Sequence, residues 1–345
     1  MLGTIIFALF AIVLGLSAVA TVFPSILQWI PGGFSLLDTP LVQIIAFRVP
    51  LAISLLLLTL VTFVFVAFGK NFLRRLVALL LGFLLAGTTL IHGITVAQRG
   101  FASAEDFTHP EHLNSEYLNI LSYNTLGGAT SYTDLLPVIQ ENDVDVVALL
   151  ETQLADGLLL QKRLRNAGEK FQIFSNGSSE YDPAFKSTLL LVRESFGEYR
   201  VASETNSALA SQLAIEPVDG EGPRFIAVHP IAPLPELIGA WRSEVAQTYQ
   251  QCASSENFVM MGDFNSTYDH QSALGANCVD GAAQANSGAL GTWPTWLPQY
   301  LAAPIDRVLH SGLFYRGVRA RTVNVGESDH RGILVQLRTI ETSTV

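Results

Sequence analysis

The segment Met261-Gly262-Asp263-Phe264-Asn265 follows the apolar run Phe258-Val259-Met260, so a carboxylate and an amide stand two positions apart where a strand should stop. A carboxylate there can take a proton from water, and a neighbouring amide can donate to an oxyanion. The pattern recurs along the chain. Asn124 follows Ile120-Leu121-Ser122-Tyr123, Glu151 follows Val146-Val147-Ala148-Leu149-Leu150, and His229 follows Phe225-Ile226-Ala227-Val228. Asp306 lies in Pro304-Ile305-Asp306-Arg307-Val308-Leu309, and Ser328-Asp329-His330 precedes a last apolar run. Together these side chains suit the hydrolysis of a phosphoester. That inert anion needs a hard cation, a base that makes hydroxide and donors for the charge that builds up. Read singly, each is an ordinary polar strand end; the combination carries the reading.

Such side chains converge only if rigid elements hold them. Apolar runs at 118–123, 144–150, 187–192, 224–228, 257–261, 305–309 and 332–337 are rich in Val, Ile and Leu, as buried strands should be. Between them, 133–142, 154–167 and 235–253 carry apolar residues at three- and four-residue spacing and predict helices. Loops are expected at 175–182 and 281–292. The alternation predicts an α/β layered domain with its polar residues gathered at one edge of the sheets, where loops on a rigid scaffold carry chemistry.

The chain is two unlike pieces. Residues 1–99 carry Asp38 against Arg48, Lys70, Arg74, Arg75 and Arg99, a net of +4, and the rest carries −14, which gives the overall −10. Stretches 2–23, 49–68 and 76–97 are uncharged and long enough to cross a bilayer, which takes roughly 20 apolar residues. Trp29 and Arg48 fall near span ends, and His92 reads as an interfacial or helix-packed histidine. Lys70, Arg74 and Arg75 between the second and third spans predict a cytoplasmic loop, hence an amino terminus inside and everything after residue 97 outside. A signal peptide cut after Ala18-Val19-Ala20 is the rival, weakened by the missing basic start. The expected organisation is an anchor (1–97), a polar tether (98–116), a catalytic domain (117–338) and a tail (339–345). Cys252 and Cys278 bracket the Asp263 loop and can form either a disulfide or two buried thiols.

At the eight polar positions the chain resembles the endonuclease/exonuclease/phosphatase superfamily with the DNase-I-like fold, over residues 117–338, and within it the membrane-anchored bacterial branch. The resemblance implies a four-layer α/β sandwich of two mixed β-sheets flanked by helices. It implies Mg2+ or Mn2+ beside Asn124, Glu151 and Asp329. Asp263 would orient or deprotonate the attacking water, and Asn265 would hold a phosphate oxygen. Asp306 would fix the tautomer of His330 and favour its protonated form, and His229 would clamp phosphate. The chain departs from the family at Lys186-Ser187-Thr188 and at Ala227-Val228-His229-Pro230, and Tyr181 and Asp182 are the candidates to support His229. Trp293 and Trp296 can stack on a sugar or base, enter a membrane interface or plug the core.

A non-catalytic binding module is disfavoured by the intact set. Duplex binding rests on Lys and Arg neutralising phosphates, yet residues 100–345 hold three lysines and a net charge of −14. Such a domain repels a polyanion at long range. The expected partners are therefore a lipid bilayer and a phosphoester in a lipid or glycolipid head group; the alternative is a membrane-tethered extracytoplasmic nuclease. Nothing in the sequence points to a protein partner.

Overall fold

A computed structural model describes residues 2–23, 35, 37–107, 116–179, 181–202 and 211–340. Trp29, most of the loop at 24–40, the middle of the tether and the last five residues lie outside the described residues. The chain forms two compact units, Met1–Gln98 and Arg99–Val345.

The first unit holds α1 (Leu2–Ala20), α2 (Leu41–Ala46), α3 (Arg48–Phe68) and α4 (Phe72–Arg99, its last residue counted with the second unit). α1, α3 and α4 are long and apolar enough to cross a membrane. Helices suit that role because every backbone group between their ends is satisfied within the segment. Polar side chains pin both ends of the bundle. Arg74 Nε at the start of α4 donates to Thr4 Oγ1 at the start of α1, 3.3 Å. At the other end the buried His92 lies 2.9 Å from Thr21 Oγ1, and its Nδ1 accepts from Arg48, 2.7 Å. His92 is thus packed between helices, with α1 and α4 running the same way.

In the second unit the strands are β1 (Tyr117–Asn124), β2 (Val146–Leu150), β3 (Phe171–Ser175), β4 (Thr188–Arg193), β5 (Tyr199–Val201), β6 (Leu213–Pro217), β7 (Arg224–Val228), β8 (Phe258–Asp263), β9 (Val279–Asp280), β10 (Asp306–His310), β11 (Tyr315–Val323) and β12 (Gly332–Thr339). They build two six-stranded mixed sheets, in orders β11-β12-β1-β2-β4-β3 and β5-β6-β7-β8-β10-β9. Each sheet has one parallel pair near its middle, β1–β2 and β7–β8. The helices are α5 (Tyr132–Glu141), α6 (Leu154–Asn166), α7 (Ile238–Gln250), α8 (Tyr268–Ala273) and α9 (Gly281–Gln284).

The period-two alternation of strand side chains explains the layers. Ile120, Val146, Ala148 and Leu190 of one sheet share a core with Ile215, Phe225, Val259 and Met261 of the other. Their neighbours Leu121, Tyr123, Val147 and Leu149 point outward onto Leu135, Ile139, Leu160 and Leu164 of α5 and α6. Central strands are covered on both faces and are therefore continuously apolar. This is the expected four-layer sandwich.

The strands that sequence patterning missed are short or peripheral. β11 alternates buried Tyr315, Gly317 and Ala320 with Arg316 and Arg319 at the surface, as an edge strand does. The connector also differs from a free tether over its first half. Arg99 pairs with Asp269, Ala102 and Ala104 donate to Asn286 and Ala320 carbonyls, and Phe107 is fully buried against the β1 sheet. Burying that ring against Leu121 and Val323 outweighs the entropy of a loose linker.

Candidate active site

Register places the site. β8 pairs with β7 so that Gly262 faces Val228, and with β10 so that Asp263 faces Asp306. His229, Asp263 and Asp306 therefore finish or begin three adjacent strands of one sheet. Asn124 ends β1 opposite Leu150 of β2, which puts Glu151 one step beyond, and His330 comes just before β12 in the same sheet. Gly262 makes the close approach possible. Its φ is +149°, and a Cβ would meet the Val228 carbonyl oxygen at 2.0 Å.

Asp263 is the hub. It is buried, its Oδ1 accepts from the Asn265 backbone at 2.8 Å, and its Oδ2 accepts from Asn124 Nδ2 at 3.2 Å. His229 Nε2 lies 3.6 Å and His330 Nε2 3.7 Å from the same Oδ2. His229 Nε2 is also 3.6 Å from Glu151 Oε1, which accepts from Asn124 Nδ2 at 3.0 Å. Ligand-type atoms of Asp263, Asp306 and His330 all fall within 4.8 Å of one another. Asp329 Oδ1 is 4.0 Å from His330 Nε2. The predicted carboxylates and imidazoles thus gather in one place, contributed by both sheets.

Glu151 and Asn265 both adopt left-handed backbone, φ +55° and +44°, conformations that non-glycine residues hold only when their surroundings over-determine them. At Asn265 those surroundings are clear. Phe264 is buried in a stack on Tyr249, and Trp241 Nε1 donates to the Asn265 carbonyl, 2.9 Å. Asn265 Nδ2 donates to Pro230 O at 2.9 Å, which leaves its second amide hydrogen for a ligand.

His330 Nδ1 contacts Asp306 Oδ2 at 2.9 Å while Nε2 faces Asp263 Oδ2. Both ring nitrogens face carboxylate oxygens, an arrangement that favours the charged imidazole. Burial works against charge on His330, but Asp306 and then Asp263 outweigh it and hold the imidazole up to about 10. Burial likewise pushes the Asp306 carboxyl up, and His330 opposes it. His229 has its Nδ1 on the Phe185 carbonyl, 3.0 Å.

The donor set fits a hard divalent cation. Beside Glu151 and Asp263, Asp306 Oδ1 and Asp329 Oδ1 are buried oxygens with no hydrogen-bond partner among the described residues. Asn124 lies between two of the expected carboxylates. Its Oδ1 accepts from Leu126 N at 3.0 Å, and its Nδ2 donates to Glu151 Oε1 and Asp263 Oδ2. Tyr181 and Asp182 do not support His229: Tyr181 is 90% exposed, and Asp182 Oδ2 accepts from Ser179 N. The Phe185 carbonyl takes that role, which side-chain patterns cannot signal.

Three further residues support the site in roles the sequence does not assign. Trp293 Nε1 donates to Asp329 Oδ2 at 2.9 Å. Thr292 Oγ1 accepts from Asp306 N at 3.0 Å, and Ser328 Oγ donates to Asn124 O at 2.7 Å while accepting from His330 N. The sequence singled out Trp293 for stacking, membrane contact or core packing and Ser328 only as the neighbour of Asp329. Cys252 and Cys278 form a disulfide.

The two mixed six-stranded sheets and their flanking helices form a phosphoesterase-type fold. The sequence profile of the Endonuclease/Exonuclease/phosphatase family matches residues 121–330, more than half of the chain. The chain belongs to that family, whose members are hydrolases acting on phosphoesters. Similar solved structures include D. rerio TDP2 complexed with a single-strand DNA product, with 17% identity over 65% of this chain and 99% of that one, TM-score 0.49. An AP endonuclease from Archaeoglobus fulgidus has 12% identity over 63% and 98%, TM-score 0.49. A Bacteroides thetaiotaomicron mannosyl-6-phosphatase has 14% identity over 65% and 99%, TM-score 0.43. No curated protein matches the chain.

Proposed function

We propose that this protein is a membrane-anchored, Mg2+- or Mn2+-dependent phosphoesterase that hydrolyses a phosphoester of a lipid or glycolipid head group. The observation that carries it is the convergence of Glu151, His229, Asp306 and His330 around Asp263 at the edge of both sheets.

Glu151 and Asp329 would hold the ion, which would neutralise phosphate and favour hydroxide at neutral pH. Asn124 aligns Glu151 with Asp263. Asp263, acceptor-only and pinned by Asn265 N, takes the proton of the attacking water. His330, kept charged by Asp306, donates from Nε2 to a non-bridging oxygen as charge develops there. His229, held at Nδ1, and the free amide hydrogen of Asn265 supply further donors on the neighbouring strands.

Three apolar helices support attachment to a membrane, and the Cys252–Cys278 bridge supports an oxidising, extracytoplasmic compartment. The −14 balance of residues 100–345 favours a lipid phosphoester over a nucleic acid. The test is the full-length protein in nanodiscs, assayed in parallel on sphingomyelin-like lipids, phosphoinositides, prenyl phosphates and plasmid DNA. Cleavage of one lipid class and not DNA is expected; rapid DNA nicking with no lipid cleavage overturns the substrate assignment.

A further inference from the structure

Trp296 is 78% exposed, yet its loop is braced by several hydrogen bonds. The Arg331 side chain, itself buried, donates to the carbonyls of Pro294, Thr295 and Leu297 at 3.3, 2.8 and 2.6 Å. Thr295 N donates to Asp329 O, and Trp293 on the same loop binds the Asp329 carboxylate. A large indole is therefore presented to solvent on a braced turn beside His330. Bracing a loop fixes in advance the entropy that a flexible one would lose on contact.

Three other loops that touch the site end in exposed apolar side chains. Leu126 follows Asn124 and donates its N–H to it; Phe185 carries the carbonyl that holds His229; Leu234 follows Pro230, whose carbonyl binds Asn265. Their exposures are 43%, 53% and 51%. Two of these loops adjoin, since a Cβ on Gly127 would lie 3.5 Å from that of Ala184. An anionic pocket built from carboxylates is thus fringed by apolar groups, the reverse of what a polyanion requires.

We propose that this fringe, with Trp296 as its anchor, docks on the lipid surface that displays the phosphoester, indole at the head-group level and Leu126, Phe185 and Leu234 against the acyl boundary. Tryptophan belongs at that level because its ring is apolar and its N–H polar. The chain's own apolar helices are suited to keep it at a bilayer. With 29 acids against 15 bases, a balance of −14, residues 100–345 are repelled overall by anionic lipid, so the contact is apolar. The identity of what enters the pocket rests on the phosphoesterase reading; the lipid contact does not.

Two measurements on the full-length protein separate these. In phosphatidylcholine vesicles with dibrominated acyl chains, tryptophan quenching of the wild type should exceed that of Trp296→Phe, because the lost fluorophore is one in contact with lipid. Independently, Trp296→Ser should raise KM for vesicle-borne hexadecyl 4-nitrophenyl phosphate roughly tenfold and leave bis(4-nitrophenyl) phosphate turnover unchanged. Equal quenching overturns the docking surface even if both chromogens are hydrolysed. Unequal quenching with neither chromogen hydrolysed upholds the surface and removes the enzyme reading. A Trp296→Ser defect confined to single-stranded oligonucleotides overturns the lipid assignment in favour of base stacking.

Discussion

At Asp263 the site gathers more negative charge than folding alone would favour. Glu151, Asp306 and Asp329 surround it, and like charges in a low dielectric repel. In chelator, Asp263→Asn should therefore melt no lower than the wild type while losing turnover, measured by calorimetry beside a chromogenic assay. His330 gives a signed pH prediction. Its folded value of about 10 lies above its ordinary 6.5, so its stabilising contribution is complete below 6.5 and lost as pH rises through about 10. Asp306→Asn removes the largest charge that raises His330, and the alkaline limb of chelator-state stability should move toward neutrality. The ion's place is testable too. Glu151→Gln should abolish Mn2+ binding by titration calorimetry, whereas His330→Ala should spare it, because an imidazolium is no ligand. Trp293→Phe keeps the ring but drops the N–H on Asp329 and should weaken Mn2+ roughly tenfold.

Elements set what each residue can reach. Gly262 lets β7 and β8 run close enough to align His229 with Asp263. Gly262→Ala should destabilise by about 3 kcal/mol or more, because its φ and the Val228 carbonyl both exclude a side chain; urea melts would measure it. At the far end of β10, His310 is buried neutral, Nδ1 accepting from Gly312 N and Nε2 on Gln284 Oε1. Burial pulls it down to about 4, so stability present above 6.5 is lost as pH falls toward 4, and His310→Gln should blunt that acid limb. The central strands were legible because burial on both faces makes them continuously apolar, and their polar ends therefore announced the site. β5 was not, being three residues long at a sheet edge, nor β6, whose apolar run stops after Leu213-Ala214-Ile215, and β11 carries edge arginines. Backbone partners such as the Phe185 carbonyl leave no side-chain signature, and Asn124's orientation depends on Leu126 N, which no pattern of residue types encodes.

For the whole molecule, the two compositions map onto two units, and the charge split near residue 99 coincides with the structural boundary. What the sequence misplaced is the tether: Phe107 and Arg99 belong to the folded domain, so a truncation that removes residues 99–107 strips buried surface from it. The Cys252–Cys278 bridge closes a 26-residue separation, and reducing it should cost about 3 kcal/mol, seen as a lower melting temperature in reductant. On the proposed function, both sheets deliver side chains to one cation-dependent hydrolytic pocket. Its most direct test is bis(4-nitrophenyl) phosphate turnover by the full-length protein before and after chelation, with Asp263→Asn alongside. Turnover should be lost in EDTA, restored by Mg2+ or Mn2+, and reduced at least about a thousandfold in the variant at every metal concentration. Undiminished turnover in EDTA, or in Asp263→Asn with metal present, contradicts it.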